Sequence, residues 1–317
     1  MRAVRCSDGA VRVVEAEEPS GVGVRVRIAA SGICGTDLAL IGAEHPPAVI
    51  LGHELSGWLD DGTAVAIEAL LPCERCEQCV AGAYHLCSGT PSGNSVDICL
   101  GLTVLDGGMA DVVRVPQRCI VPLPPSVDVR DACLVEPLAV GFHGLRKGGV
   151  RAAQRVAVVG AGSIGLCTVA AAQRLGCEVG VVARHARQME VAEALGATAA
   201  HGVYDVTVDA AGSASSIATA MDMVRKGGTV VAVGIHTGPV PVDGAVFAAK
   251  ELRIVASVGY STHNGRRDVD DAAELLGAYS AVARLLITHR FPLDEAPRAF
   301  ATAGDRSSGA VKVVVEP

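Results

Sequence analysis

Residues 156–165 carry the sequence VAVVGAGSIG, and this stretch decides the fold of the middle of the chain. A short apolar run ends in the glycine pattern G-x-G-x-x-G, and the residues after it have the spacing of a helix. In a strand–turn–helix context this pattern indicates a dinucleotide site, whereas alone it would indicate only a flexible turn. Gly160 permits a tight turn, Gly162 lets the backbone approach a pyrophosphate, and Gly165 lets helix and strand pack closely. The candidate site comprises Gly160, Gly162, Ser163, Ile164 and Gly165.

Outward from this stretch, strand-like and helix-like runs alternate. The predicted strands are 156–159, 179–182, 206–208 and 229–233, and the predicted helices are 163–175, 187–195 and 215–224. Alternation of this kind predicts a doubly wound parallel sheet with helices on both faces. Between 198–200 and 206, however, there are only five residues, 201–205. A parallel crossover needs about a dozen residues or more, so the third-strand region is shortened. We predict that its helix is absent and that the edge strand is short or missing.

The residues after the second predicted strand indicate which dinucleotide is bound. An NAD site places an acidic residue there, on the ribose 2′-hydroxyl. This chain has Ala183, followed by Arg184 and Arg187. Two guanidinium groups suit the 2′-phosphate of NADP(H), although they could also be solvated residues that open a helix. We therefore expect NADP(H) to be preferred over NAD(H), and Gly212 and Gly234 complete the candidate cofactor-binding residues.

Both ends of the chain differ in pattern from the middle. Residues 22–28 alternate as in a half-buried strand, and Asp61 with Gly62 predicts a hairpin turn. The Pro-rich stretch 121–125 indicates a domain boundary. The strand-like run 311–315 is expected to rejoin the first domain. These patterns predict a first domain of 1–124, a second of 125–261 and a C-terminal part of the first, 262–317.

Four cysteines have the spacing of a metal site. Cys73, Cys76, Cys79 and Cys87 are separated by two, two and seven residues. Four thiolates can complete a tetrahedral zinc site and leave no position for a substrate, so this zinc would be structural. A redox Cys-x-x-Cys pair is the alternative, but such a pair needs only two cysteines.

A second candidate metal site is dispersed along the chain. Cys34 lies in the sequence GICGTD, His53 and Glu54 follow nineteen residues later, and Glu136 precedes a proline. One thiolate, one imidazole and a carboxylate suit a zinc that keeps an exchangeable position. Taken singly, a histidine in a turn is more often an ordinary hydrogen-bonded residue.

Composition limits the class of protein. The chain of 317 residues is half hydrophobic and has a formal charge of −7, which argues against nucleic-acid binding. No apolar run reaches the length of about 18 residues that a membrane span needs, and the first residues lack the pattern of a secretory signal. We expect a soluble cytoplasmic protein with no membrane partner. Of the eleven cysteines, the four clustered ones suggest metal ligands rather than disulfides in a reducing compartment, whereas most of the scattered ones are expected to be small buried hydrophobic residues.

The order of these motifs resembles the zinc-dependent medium-chain alcohol dehydrogenase family over essentially the whole chain. Glu136 before Pro137 is similar to the sorbitol, threonine and glucose dehydrogenase branch. The resemblance implies a GroES-like, β-rich catalytic domain, a Rossmann domain and an active site in the cleft. It also implies a catalytic zinc on Cys34, His53 and either Glu54 or Glu136, with the Thr36 hydroxyl on the substrate oxygen.

The activity implied by this resemblance is hydride transfer between a nicotinamide cofactor and a secondary alcohol, a polyol or the matching ketone. A homodimer or homotetramer is also implied, and the apolar run 252–256 is a candidate edge strand for it. Ala39 departs from the family, because many relatives have a proton-carrying histidine there. Two alternatives stay open: a zinc-free enone or quinone reductase, and a non-catalytic dinucleotide-binding redox sensor. Cys34, His53 and Glu54 argue against the first.

Overall fold

The computed structural model describes residues 1–7, 9–44, 46–90 and 95–317. It divides into two compact units, Met1–Glu136 with Asn264–Pro317, and Pro137–His263. The first change of unit comes twelve residues after the predicted boundary at 124. Residues of the turn Ala132–Leu134 pack against strands of the first unit, so the Pro-rich stretch lies inside that unit.

The described strands are β1 (Arg2–Ser7), β2 (Ala10–Glu15), β3 (Val24–Gly32), β4 (Glu54–Trp58), β5 (Ala64–Ile67), β6 (Val112–Val115), β7 (Ile120–Pro122), β8 (Arg155–Val159), β9 (Glu178–Val182), β10 (Thr198–Ala199), β11 (Tyr204–Asp209), β12 (Val224–Ala232), β13 (Arg253–Ala256), β14 (Thr262–His263), β15 (Arg266–Arg267), β16 (Ile287–Pro292) and β17 (Lys312–Glu316). The described α-helices are α1 (Gly35–Ile41), α2 (Glu77–Val80), α3 (Val135–Lys147), α4 (Ser163–Arg174), α5 (Ala186–Ala194), α6 (Ala214–Met223), α7 (Gly244–Ala249), α8 (Asp268–Ala278), α9 (Ala281–Leu286) and α10 (Ala296–Gly304). None of these helices is both long and apolar enough to cross a membrane.

The first unit is built on a mostly antiparallel sheet. Its described strands are ordered β16-β17-β3-β4-β5-β7, and β6 also pairs with β3. The C-terminal strand β17 lies antiparallel to β3, so the tail rejoins the first domain as the sequence predicts. Apolar side chains of α10 and β17 pack with Leu51 and Ile33 in the core beside this junction.

The second unit, which is described throughout, contains a six-stranded parallel sheet in the order β10-β9-β8-β11-β12-β13. The direction of winding reverses between β8 and β11, which is where doubly wound sheets bind ligands. The edge strand β10 has only two residues, and the chain runs from it to β11 without a helix. The predicted short edge strand and missing helix are both confirmed.

The glycine motif folds as its sequence predicts. The backbone of Gly160 has a φ of 105°, a left-handed conformation that a side chain would strain. A Cβ atom on Gly165 would lie 1.8 Å from the Gly160 carbonyl oxygen, so α4 can pass this close to β8 only with glycine. The motif thus joins β8 to the N-terminus of α4, the required context for a dinucleotide site.

Candidate functional site

Cys34 is held at the start of α1. Its Sγ accepts a hydrogen bond from the Thr36 backbone N–H at 3.5 Å, and the Asp37 carboxylate accepts one from the Cys34 N–H at 2.9 Å. This is a reciprocal capping box in which a thiol occupies the N-cap position. The Thr36 hydroxyl oxygen lies 3.6 Å from Cys34 Sγ. Local helix capping therefore fixes the thiol and the hydroxyl side by side.

His53 is buried immediately before β4 and faces the same carboxylate. Its Nδ1 lies 3.4 Å from Asp37 Oδ1, which leaves Nε2 for a metal. Burial opposes the charged imidazole, but the Asp37 carboxylate, with Cys34, outweighs burial and raises the pKa of His53 well above its usual range. Asp37 is thus an orienting residue that the sequence analysis missed. Its position three residues after the N-cap was the available signal.

Glu54 is fully buried and is paired with Lys312. The Lys312 ammonium donates to both carboxylate oxygens, at 2.6 and 2.7 Å, and to the Ile33 carbonyl at 3.1 Å. A Cβ atom on Gly32 would lie 2.0 Å from Glu54 Oε2, so glycine provides the space for the carboxylate. Lys312 was also missed, although a single lysine in the apolar run 311–315 is an unusual residue for a buried strand.

Cys34, His53 and Glu54 are brought within metal-binding reach of one another. One ligand atom from each of them lies within 4.8 Å of the other two. Glu136 is buried in the first turn of α3 but does not belong to this set. Burial raises the pKa of Glu136 to about 7, while the nearby His53 opposes the rise. The described residues therefore assemble three candidate ligands, with a second carboxyl group close to their charges.

The four spaced cysteines form a second cluster. The Sγ atoms of Cys73, Cys76, Cys79 and Cys87 lie within 4.8 Å of one another. Backbone N–H groups of Cys79 and Ser88 lower the pKa of Cys76 to about 5, while burial raises that of Cys79 to about 12. A thiolate in a nest of backbone donors is a good metal ligand. The donor set and its spacing suit a closed tetrahedral zinc site.

A charged network ties this cysteine loop to the rest of the first unit. Arg118 donates to Glu74 at 2.8 Å, to the buried Glu68 at 3.3 Å and to the Leu70 carbonyl. Arg267, which precedes α8, also reaches Glu68, at 3.0 Å. The loop between Cys73 and Cys87 is thus fixed by ion pairs as well as by its thiols.

The predicted cofactor residues lie at the carboxyl edge of the parallel sheet. Ala183 follows β9, and Arg184 and Arg187 are exposed around the start of α5. Neither guanidinium forms an ion pair with any residue of the described ranges. Around Gly162, where a pyrophosphate is expected, a Cβ atom would meet nothing within 4 Å. The backbone at Gly162 is therefore open, and the side chains of Arg184 and Arg187 at the same edge of the sheet have no ion-pair partner among the residues that the structure describes.

Gly212 and Gly234 lie at the same edge, in the turns after β11 and β12. A Cβ atom on Gly234 would lie 2.3 Å from the Gly212 nitrogen, so these turns touch through their backbones. All the predicted cofactor residues therefore follow strands at one edge of one sheet.

Two family models match the chain. The model described as the alcohol dehydrogenase GroES-like domain matches residues 21–125. The model described as the glucose dehydrogenase C-terminus matches residues 130–316. Together they cover nearly the whole chain, and the second model spans both the second unit and the C-terminal part of the first.

Curated relatives and solved structures agree with these models. Sorbitol dehydrogenase of Arabidopsis thaliana is 30% identical, over 92% of this chain and 87% of its own. Galactitol-1-phosphate dehydrogenase of Escherichia coli has a similar structure, with a TM-score of 0.88, 27% identity and complete coverage of both chains. A dehydrogenase of Sinorhizobium meliloti 1021 assigned to the zinc-binding class, solved with NADP bound, is 31% identical, with a TM-score of 0.86 and coverage of 100% and 99%.

Proposed function

The chain belongs to the zinc-dependent medium-chain alcohol dehydrogenase family, and on this premise we propose that it oxidises a polyol or secondary alcohol, reversibly, with NADP(H) as the preferred cofactor and a catalytic zinc. Two of the relatives named above, the sorbitol and galactitol-1-phosphate dehydrogenases, act by name on a polyol or its phosphate. The observation that carries the proposal is the set formed by half-buried Cys34 and buried His53 and Glu54, whose ligand atoms lie within ligand distance of one another.

These three side chains fit a catalytic zinc. One thiolate, one imidazole and one carboxylate leave a tetrahedral ion a position for the substrate oxygen. When bound, the zinc would act as a Lewis acid that favours the alkoxide, and the nicotinamide would accept the hydride. Asp37 Oδ1 lies 3.4 Å from Nδ1 of His53, so the carboxylate favours a proton on Nδ1 and leaves Nε2 to face a metal.

The two glutamates have different roles in this proposal. Glu54 is in ligand distance, and its charge is shared with Lys312. Glu136, whose pKa burial raises to about 7, lies outside the ligand set and carries a proton more readily. We assign Glu54 to the resting ligand set and Glu136 to the exchangeable position beside it.

Thr36 would hold the substrate hydroxyl. Its Oγ1 lies beside Cys34 Sγ, so the hydroxyl can accept a hydrogen bond from the bound alcohol and receive its proton. Ala39 has no titratable group, so the proton would leave Thr36 through water or a cofactor hydroxyl. A second, structural zinc would be held by Cys73, Cys76, Cys79 and Cys87.

The NADP(H) preference rests on the residues after β9. Ala183 does not repel a 2′-phosphate, and the unpaired guanidinium groups of Arg184 and Arg187 are available to bind it. The similar Sinorhizobium meliloti protein was solved with NADP, which supports the same cofactor here.

The cofactor preference is tested by comparing kcat/KM for NADP⁺ and NAD⁺ with one polyol. Each charge-assisted contact contributes about 1.5–3 kcal/mol, so we expect kcat/KM to be about tenfold or more higher with NADP⁺ than with NAD⁺. The double variant Ala183→Asp with Arg184→Ala should reverse the order. The control Arg174→Ala, a change at the other end of α4, should not alter the ratio. Equal or better use of NAD⁺ by the unaltered protein would refute the assignment.

A further inference from the structure

His236 forms a contact that the activity described above does not use. Its Nε2 lies 2.8 Å from Oδ2 of Asp209, the last residue of β11. Asp209 is fully buried, and the His236 side chain is only 10% exposed. The residues on either side of His236, Ile235 and Thr237, are exposed. A histidine turned inward from an exposed turn onto a buried carboxylate is therefore a specific contact of this chain.

Asp209 joins two turns through its carboxylate. Oδ1 accepts from the N–H groups of Ala211 and Gly212, at 3.0 and 3.1 Å, and Oδ2 contacts His236 in the turn after β12. The backbone carbonyl of Asp209 also accepts from the N–H groups of Val233 and Gly234. The two turns are thus held to a single residue by both its side chain and its main chain.

No larger residue could take the place of the glycines at this junction. A Cβ atom on Gly212 would lie 2.5 Å from the Ile235 carbonyl oxygen. Gly212 also has a φ of +65°. Because the turns are in backbone contact, a shift of the turn after β12 would move the turn after β11 as well. His236 is the side chain that attaches the exposed turn after β12 to Asp209.

The contact between the turns after β11 and β12 lies on one side of the point where the strand order of the sheet reverses. Strand order reverses between β8 and β11, and a dinucleotide spans such a point with one mononucleotide half on each side. Ala183, Arg184 and Arg187 follow β9, on the side expected for the adenosine half. Asp209 and His236 follow β11 and β12, on the opposite side. They therefore belong to the half that would receive the nicotinamide mononucleotide.

We propose that His236 is a positioning residue for the nicotinamide half of the cofactor, acting through Asp209 on the turns after β11 and β12. This inference rests on the proposed dinucleotide-dependent function but not on the choice between NADP and NAD. Loss of His236 frees the turn after β12, so the nicotinamide half must order it on binding. The adenosine half binds on the other side of the sheet edge, so its affinity does not include the free energy of ordering this turn.

The test compares a whole cofactor with a fragment by equilibrium binding. Intrinsic fluorescence or calorimetry gives Kd for NADPH and for 2′-phospho-ADP-ribose, which lacks the nicotinamide. We expect His236→Ala to raise the Kd for NADPH about tenfold or more. The Kd for the fragment should stay within about twofold of its value for the unaltered protein. His236→Gln, which can still donate to Asp209, should restore most of the NADPH affinity. The control His201→Ala, an exposed histidine of the same unit, should change neither Kd.

Two outcomes would overturn the inference. Parallel weakening of NADPH and the fragment would show that His236 supports the unit as a whole. Unchanged affinity for both would show that the contact has no role in binding. If the unaltered protein prefers NADH, the proposed cofactor preference fails, and NADH with ADP-ribose gives the same comparison for His236.

Discussion

At the residue scale, Glu54 and Lys312 form a buried ion pair in the candidate active site. The ammonium is 2% exposed and the carboxylate is fully buried. Removing one partner of a buried pair leaves an uncompensated charge, which costs far more than losing an exposed pair. The pair is therefore expected to contribute to the stability of the first unit, and it would limit the charge that Glu54 offers to the proposed zinc.

Lys312→Met should lower the free energy of unfolding by about 3–5 kcal/mol in chelator-treated protein. Added zinc should recover part of this loss, because the cation gives Glu54 a new partner. Urea unfolding with and without zinc measures both effects. The matched control is Arg298→Met, which breaks an exposed pair with Glu295 and should cost under about 1 kcal/mol. Equal losses for the two variants would contradict the assigned role of Lys312.

Residue types at the site were predictable, whereas their partners were not. The family resemblance implies Cys34, His53 and either Glu54 or Glu136 as ligands, and the structure brings Cys34, His53 and Glu54 together. Lys312 is 258 residues from Glu54, and only the pairing of β17 with β3 places it there. Contacts of such long range depend on strand register, which local sequence patterns do not determine.

At the scale of elements, the missing helix between β10 and β11 leaves part of the sheet without its usual cover. Tyr204 fills this place: a Cβ atom on Gly180 would lie 2.1 Å from its hydroxyl oxygen. The Arg155 guanidinium lies over the ring, 4.6 Å from the centroid, and Tyr204 is 2% exposed. Arg155 is in turn held by Glu178 and by the Val203 carbonyl. The Tyr204 ring thus packs against Gly180 of β9, and the Arg155 guanidinium covers the ring.

We predict that Tyr204→Ala lowers the free energy of unfolding of the second unit by about 3–5 kcal/mol, as for other buried aromatic residues. Tyr204→Phe keeps the ring and loses only the hydroxyl that accepts from the His201 N–H, so it should cost about 1 kcal/mol. Thermal unfolding followed by circular dichroism separates the two. A Tyr204→Ala protein as stable as Tyr204→Phe would show that the ring does not cover the sheet.

The short connection itself was predictable from its length, because five residues cannot form a crossover helix. The packing of Tyr204 against Gly180 was not predictable. The register of β11 against β12 shifts between Tyr204 and Val206. A bulge of this kind leaves no clear pattern in a run as short as 204–209.

At the scale of the whole molecule, the edge of the parallel sheet is a candidate contact between copies of the chain. Strand β13 pairs only with β12 in the sheet order of the fully described second unit. Val258, just beyond it, is 51% exposed. An unpaired edge with exposed apolar residues favours association, and we propose a homodimer or homotetramer joined there.

Light scattering at micromolar concentration should report at least twice the chain mass of 32.2 kDa. Val258→Lys should shift the equilibrium toward the single chain, because like charges would face each other across a twofold axis. Val22→Lys, at a fully exposed position of the first unit, is the control and should leave the mass unchanged. A species of one chain mass in the unaltered protein would end this proposal.

The central claim is that two zinc sites exist and that the one on Cys34, His53 and Glu54 supports turnover. The most direct measurement is zinc per chain, by elemental analysis, together with polyol oxidation, for the unaltered protein and for His53→Ala. We predict two zincs and activity for the first, and one zinc, a cooperative unfolding transition and loss of turnover for the second, because the four-cysteine site is separate. Near-normal turnover and unchanged zinc content in His53→Ala would contradict the account.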